Sequence, residues 1–96
     1  MKKIIYLLIT GLFFGLIANA QIMINNGAHI DITSGSSLVI EGDFRNEMDG
    51  SVDNSGNILI SGDWINNQTS GNLLNGTSGQ VVFNGSSVQS IQGTHV

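Results

Sequence analysis

Leu38-Val39-Ile40-Glu41-Gly42-Asp43-Phe44 and Ile58-Leu59-Ile60-Ser61-Gly62-Asp63-Trp64 are two versions of one phrase, set 20 positions apart. Each runs three apolar residues, a polar residue, Gly, Asp and an aromatic ring. Each then continues into Asn, as Arg45-Asn46 in the first and Ile65-Asn66-Asn67 in the second. A unit of about 20 residues cannot bury its own apolar face, so copies of it must stack on one another. Beyond the phrase the match continues through Asn46, Gly50, Val52, Asn54, Gly56 and Asn57 in one descent. Its counterpart is Asn66, Gly71, Leu73, Asn75, Gly79 and Gln80 in the other. The second descent is longer by three residues, one before Gly71 and two around Gly76-Thr77, and stacked repeats tolerate such insertions in their turns. A third strand, Val81-Val82-Phe83-Asn84-Gly85, keeps the apolar triplet and the Gly but puts Ser86-Ser87 in place of Asp and the ring. Val88, Ile91 and Gly93 carry the pattern on.

From Gln21 onward, the apolar residues alternate at strand spacing and nowhere recur at helical spacing. Ile22 and Ile24, Ile30 and Ile32, and Leu38 and Ile40 each put two side chains on one face of a short strand. The last members of these pairs fall eight residues apart, and the pairs are read as faces of successive coils. Asn25-Asn26-Gly27 and Thr33-Ser34-Gly35 supply the turns, with Gly taking the positive φ of a tight corner. The expected inward set is Ile30, Ile32, Leu38, Ile40, Phe44, Val52, Ile58, Ile60, Trp64, Leu73, Val81, Phe83, Val88 and Ile91. Val39, Leu59 and Val82 alternate to the opposite face. This core is small for the chain length, and two to three repeats are few for a stack, so residues 21–96 read as the leading, incomplete part of a longer one.

The first twenty residues have another purpose. Met1-Lys2-Lys3 is a basic start, Ile4 to Ile17 an apolar run, and Ala18-Asn19-Ala20 the small-residue pattern cut by signal peptidase, with Gln21 the new N-terminus. The apolar run is shorter than the roughly 20 residues a spanning helix needs, so residues 1–20 read as a cleaved signal peptide and the mature protein as exported. Cleavage removes Lys2 and Lys3 and leaves Arg45 as the single basic residue against seven carboxylates. So acidic a surface is a poor partner for nucleic acid or for an anionic membrane. The lack of Cys fits an exported protein that does not depend on disulfides.

Val81-Val82-Phe83-Asn84-Gly85-Ser86-Ser87-Val88-Gln89-Ser90-Ile91-Gln92-Gly93 resembles a recurring segment of large secreted Bacteroidetes surface proteins, V-x-F-x-G-x-x-x-Q-x-I-x-G. Gly62-Asp63-Trp64-Ile65-Asn66-Asn67 and Gly42-Asp43-Phe44-Arg45-Asn46 are similar to the strand-and-Asn repeats that precede it, and the resemblance covers about residues 21–96. It implies a right-handed parallel β-helix or filamentous-adhesin-like β-solenoid at the cell surface. Many such proteins are clients of the type IX secretion system through a C-terminal sorting domain, and the residues up to Val96 contain no such domain.

Three groups of side chains could carry chemistry. Asp43 and Asp63 hold equivalent repeat positions, so stacking would bring them about one strand spacing, 4.8 Å, apart. They are the weak candidates for a metal, with Ca²⁺ the ion and Glu41, Glu47, Asp49 and Asp53 as further oxygen ligands. Arg45 stands where an EF-hand loop needs its first Asp, and no calcium-binding nonapeptide occurs, so a turn-capping role for each Asp is the preferred reading. Asn46, Asn54, Asn57, Asn66, Asn67 and Asn75 recur at turns, either as a stacked amide ladder, the preferred reading, or as a sugar-binding row. Trp64, with Asn66 and Asn67, is the candidate glycan contact, against the alternative of a ring that fills the interior. Asn67-Gln68-Thr69, Asn75-Gly76-Thr77 and Asn84-Gly85-Ser86 match the glycosylation sequon, as a chain rich in Asn, Ser and Thr does by chance.

Catalysis has little support. His29 and His95 have no paired acid nearby in sequence, no nucleophile elbow or phosphate-cradling loop occurs, and Arg45 alone could serve a lyase as its basic group. The expectation is an all-β parallel solenoid segment, exported, without catalytic activity or a required cofactor, acting as a structural or adhesive surface module. Its partners would be other copies, through the open ends of the stack, or extracellular glycans. The alternatives are a carbohydrate-binding module and the non-catalytic N-terminal part of a larger secreted enzyme or adhesin.

Overall fold

The computed structural model describes residues 21–76 and 78–95, so the expected signal peptide, with Ala18 and Ala20, lies outside the described residues. The described residues form only strands and the turns between them: β1 (Ile22–Asn26), β2 (His29–Ile32), β3 (Ser37–Ile40), β4 (Asp43–Glu47), β5 (Ser51–Asn54), β6 (Asn57–Ile60), β7 (Trp64–Asn66), β8 (Leu74–Asn75), β9 (Gln80–Phe83) and β10 (Ile91–Gln92). Consecutive strands never pair. Each bonds in parallel to the strand three places along, giving three sheets ordered β1-β4-β7-β10, β2-β5-β8 and β3-β6-β9. The eight-residue step among Ile24, Ile32 and Ile40 therefore marks three faces of one circuit, not successive circuits.

The length of the return to each sheet is uneven. Phe44 lies beside Trp64, 20 residues on, and Ile22 beside Asp43, 21 on. Asn57 lies beside Gln80, 23 on, and Trp64 beside Ile91, 27 on. The second descent stacks one residue out of step with the sequence match: Val52 pairs with Leu74 and Asp53 with Asn75, instead of Val52 with Leu73 and Asn54 with Asn75. The third strand stacks as its sequence implies, Ile58 on Val81, Leu59 on Val82 and Ile60 on Phe83.

The interior is a column of side chains from the middle of the described stack. Ile32, Ile40, Phe44, Val52, Ile58, Ile60, Trp64 and Leu73 are buried, with Met23, Ile30, Leu38 and Val81 packed against them and partly exposed. The Phe44 and Trp64 rings lie 4.6 Å apart between centroids, tilted by 33°. Alternation through Phe44 and Asn46, and again from Gly50 through Val52, Asn54, Gly56, Ile58 and Ile60, shows the period-2 facing of the strands, with the exposed turn at Met48 and Asp49 between the two runs. Val39 and Val82 point outward as expected, with Leu59 between them half-buried.

Three members of the expected core are corrected. Val88, 97% exposed, lies in the connection between β9 and β10 and not on a strand. Ile91 (56%) and Phe83 (38%) stand in inward columns, beside Trp64 and Ile60, but no described strand pairs beyond them, which leaves them exposed on that side among the described residues. In β1 the inward residues are Met23, in register with Phe44, and Asn25, in register with Asn46; Ile22 and Ile24 face outward.

The glycines of the repeated phrase answer to the stacking. A Cβ on Gly62 would fall into the carbonyl of Gly42 and the carboxylate of Asp43, and one on Gly42 into the carbonyl of Gln21. Gln89 fastens the long connection between β9 and β10. Its side-chain amide donates to Ile60 O at 2.9 Å and to Gly62 O at 2.6 Å, while its Oε1 accepts the Gly85 N–H at 2.7 Å.

Two substitutions test this packing. Phe44→Ala should lower the unfolding free energy by about 3–5 kcal/mol, read as a shifted urea midpoint, because it empties the centre of the ring column. Met48, exposed at φ 54 in a turn where Asp49 also has positive φ, is held where long side chains rarely sit. Met48→Asn should therefore raise stability by about 0.5–1 kcal/mol in the same measurement.

Candidate functional site

The stacking gathers polar groups into three columns, one buried and two on the surface. The buried one is the amide column. Asn25 Nδ2 donates to Asn46 Oδ1 at 3.2 Å, Asn46 Nδ2 donates to Asn66 Oδ1 at 3.3 Å, and Asn66 Nδ2 donates to His95 O at 2.6 Å. The same amides satisfy the turns beside them. Asn25 Nδ2 reaches Ala28 O at 2.9 Å, Asn46 Nδ2 reaches Gly50 O at 2.9 Å, and Asn66 Oδ1 accepts the Gln68 N–H at 3.2 Å. Gly50 lies against Asn25 and Asn46 and leaves them room, since a Cβ there would collide with both side chains. Asn46 has no exposed surface, and Asn25 and Asn66 are nearly as buried.

Of the remaining asparagines, Asn54 is buried and fastens its own corner, accepting from Gly56 N at 3.0 Å and donating to Gln80 O at 3.1 Å. Asn67 donates to Glu47 Oε1 at 2.8 Å near the surface. Asn75 is exposed, as its place beside Asp53 requires. Asn25 belongs to the ladder although it lies outside the repeated phrase; its 21-residue offset from Asn46 was the available signal.

On one surface column, Asp43 Oδ1 accepts the N–H of Asp63 at 2.8 Å, and Asp63 Oδ1 accepts the N–H of Ser90 at 2.9 Å. Each carboxylate thus caps the backbone of the next strand in its column, not its own turn. Among the described residues no group of three or more His, Asp or Glu side chains is placed to hold a metal ion. Trp64 is 6% exposed and Asn66 is buried with it, which removes both from the outer surface; of the candidate glycan contacts only Asn67 remains half-exposed. An open hollow of about 250 Å³ adjoins the edge of Trp64, lined also by Asn66, Leu73, Leu74, Ile91 and His95.

The other surface column brings together residues that are distant in sequence. His29 lies beside Ser51, with Nδ1 2.8 Å from Ser51 Oγ and Nε2 3.5 Å from Asp53 Oδ2, and Asp31 stands in register with Asp53. The His29 and Asp53 side chains are about half exposed. Ser51 N–H, a natural oxyanion donor, is taken up by Ala28 O at 3.1 Å. This is a surface hydrogen-bond cluster in an open, wet setting, where an ion pair adds little.

Asp49 accepts from Thr69 twice over, from its N–H at 2.6 Å and its hydroxyl at 2.7 Å. The backbone bond foremost, then the hydroxyl, holds the Asp49 carboxyl below its ordinary value of 3.8.

Comparison of the chain with known protein families, with characterised proteins and with solved structures returns no match. Among the described residues no helix is long and apolar enough to cross a membrane, which does not bear on strands.

Asn46→Ala should cost about 3 kcal/mol or more, since it strands buried partners on Asn25, Asn66 and Gly50, whereas Asn67→Ala should cost under about 1 kcal/mol; urea unfolding of the pair reads the contrast. Because the folded-state pKa of Asp49 is depressed, its stabilisation is present above the unfolded value near 3.8 and is lost as pH falls through the lower folded value. Thr69→Val removes the hydroxyl but keeps the stronger N–H bond, so it should make the acid limb of a stability-versus-pH curve shallower below about pH 4 without abolishing it, and leave the curve above it parallel.

Proposed function

We propose that the chain is part of a right-handed parallel β-solenoid with coils of about 20 residues, and that it serves as a structural or adhesive module of an exported, surface-associated protein. This reading includes the Bacteroidetes-type resemblance of Val81 to Gly93 and cleavage of the signal peptide before Gln21. The observation that carries it is the parallel pairing of the described strands into three sheets, with Phe44, Trp64 and the amides of Asn25, Asn46 and Asn66 in the interior between them. The recurrent, chemistry-bearing residues of the repeat are spent on holding the stack together. Such a module acts through its shape and its ends, with no catalytic step of its own.

Phe83 and Ile91 occupy inward columns and lie exposed among the described residues, so the partner proposed for that face, in a chain of these residues alone, is a second copy, stacked on β9 and β10 as those strands stack on β6 and β7. Sedimentation of the purified protein over a range of concentrations should show concentration-dependent association. Ile91→Glu should abolish it while the circular dichroism of the monomer is kept. Monomeric behaviour throughout would refute self-stacking. For the export half of the reading, N-terminal sequencing of protein recovered outside the producing cell should begin at Gln21.

The hollow beside Trp64 favours one second reading, a carbohydrate-binding module whose sugar rests against the ring edge. Trp64 is the sole tryptophan, so its emission separates the two. A filled interior gives blue-shifted emission indifferent to a panel of glycans, whereas saturable quenching by one glycan class would establish the second reading in place of the first.

A further inference from the structure

Asn-Gly occurs three times in the sequence, at Asn26-Gly27, Asn75-Gly76 and Asn84-Gly85. All three asparagines are exposed, so exposure does not tell them apart. The glycine nitrogen does. Gly27 N–H is engaged by Glu47 O at 3.0 Å, and Gly85 N–H by the side chain of Gln89 at 2.7 Å. Gly76 N–H donates to no group among the described residues, and the Asn75 carboxamide is held only by a long 3.5 Å contact to Asn72 O. Asn75 also ends β8, a strand of two residues.

We propose that Asn75-Gly76 is a site of spontaneous, selective deamidation. The Gly76 nitrogen, having given its proton to solvent base, attacks Asn75 Cγ. The new C–N bond closes a five-membered succinimide while the Cγ–Nδ2 bond breaks and ammonia leaves. Water then opens the ring at either carbonyl, leaving aspartate or isoaspartate at position 75. The net change is amide plus water to carboxylic acid plus ammonia, with no oxidant or cofactor. At Gly27 and Gly85 the attacking nitrogen is bound to an acceptor and must first be released by local opening.

The product has a structural consequence. Asn75 stands in register with Asp53, and Asp53 with Asp31, so a carboxylate at 75 completes a column of three like charges on neighbouring strands. An isoaspartate also adds a methylene to the backbone of β8. The stack therefore carries a slow charge change on one defined face.

The test is incubation of the purified protein at mildly alkaline pH, followed by chymotryptic peptide mapping with mass detection and enzymatic methylation of isoaspartate. In the folded protein, conversion at Asn75 should run roughly tenfold or more faster than at Asn26 or Asn84, the factor a single hydrogen bond imposes on opening. In urea the three should converge, because the protection belongs to the folded state. Gln89→Ala frees Gly85 N–H and should raise conversion at Asn84 selectively. Equal rates at the three sites in the folded protein, faster conversion at Asn26 or Asn84 than at Asn75, or an unchanged rate at Asn84 in Gln89→Ala would overturn the proposal.

Discussion

A primary amide in a dry interior is costly unless its donors and its acceptor are used, and the column Asn25, Asn46, Asn66 uses them by making each amide the partner of the next. That requirement reaches far beyond three side chains. A slip of one residue in β4 would turn Asn46 and Phe44 to solvent together and bring Arg45 inward. The amides therefore hold the same register as the rings, and they tie it to the turns through Ala28 O and Gly50 O. Apolar side chains alone are less particular about their neighbours, whereas a hydrogen-bonded row admits one alignment.

Around that register the other polar residues fall into place as fasteners of the backbone. Asp43 and Asp63 cap the N–H groups of the strands that follow them, Gln89 clamps the β9 to β10 connection, and Asn54 closes the corner before β6. Each satisfies backbone groups that the turn would otherwise leave unpaired. The glycines beside them exist because neighbouring backbones approach too closely for a Cβ. A fold that returns to the same sheet every twenty-odd residues repeats these demands, which is why the same residue types recur in the chain.

Outward-facing positions answer to no such demand, and while Val39, Leu59 and Val82 stay alike, others differ from strand to strand. Arg45 stands between Ile24 and Ile65, while His29 meets Ser51 and Asp53. Interaction specificity, in the proposed role, would reside there and on the exposed inward residues Phe83 and Ile91.

The spacing of Leu38 to Phe44 and Ile58 to Trp64 determined by itself that these segments lie side by side, because two matching short phrases can bury their apolar faces only against each other. Strand alternation likewise placed Ile32, Ile40, Val52, Ile58 and Ile60 inside and Val39 and Val82 outside. What lay beyond the sequence were the facts that depend on a neighbour. Exposure of Ile91 and Phe83 depends on whether another strand covers them, and the partner of His29 depends on a 22-residue return that an irregular repeat does not announce. The pairing of Leu74, not Leu73, with Val52 turns on how the turn before β8 accommodates its added residues. Local pattern decides which face a side chain takes. Only the assembled stack decides what it meets there, because the contacting atoms come from a strand three elements away.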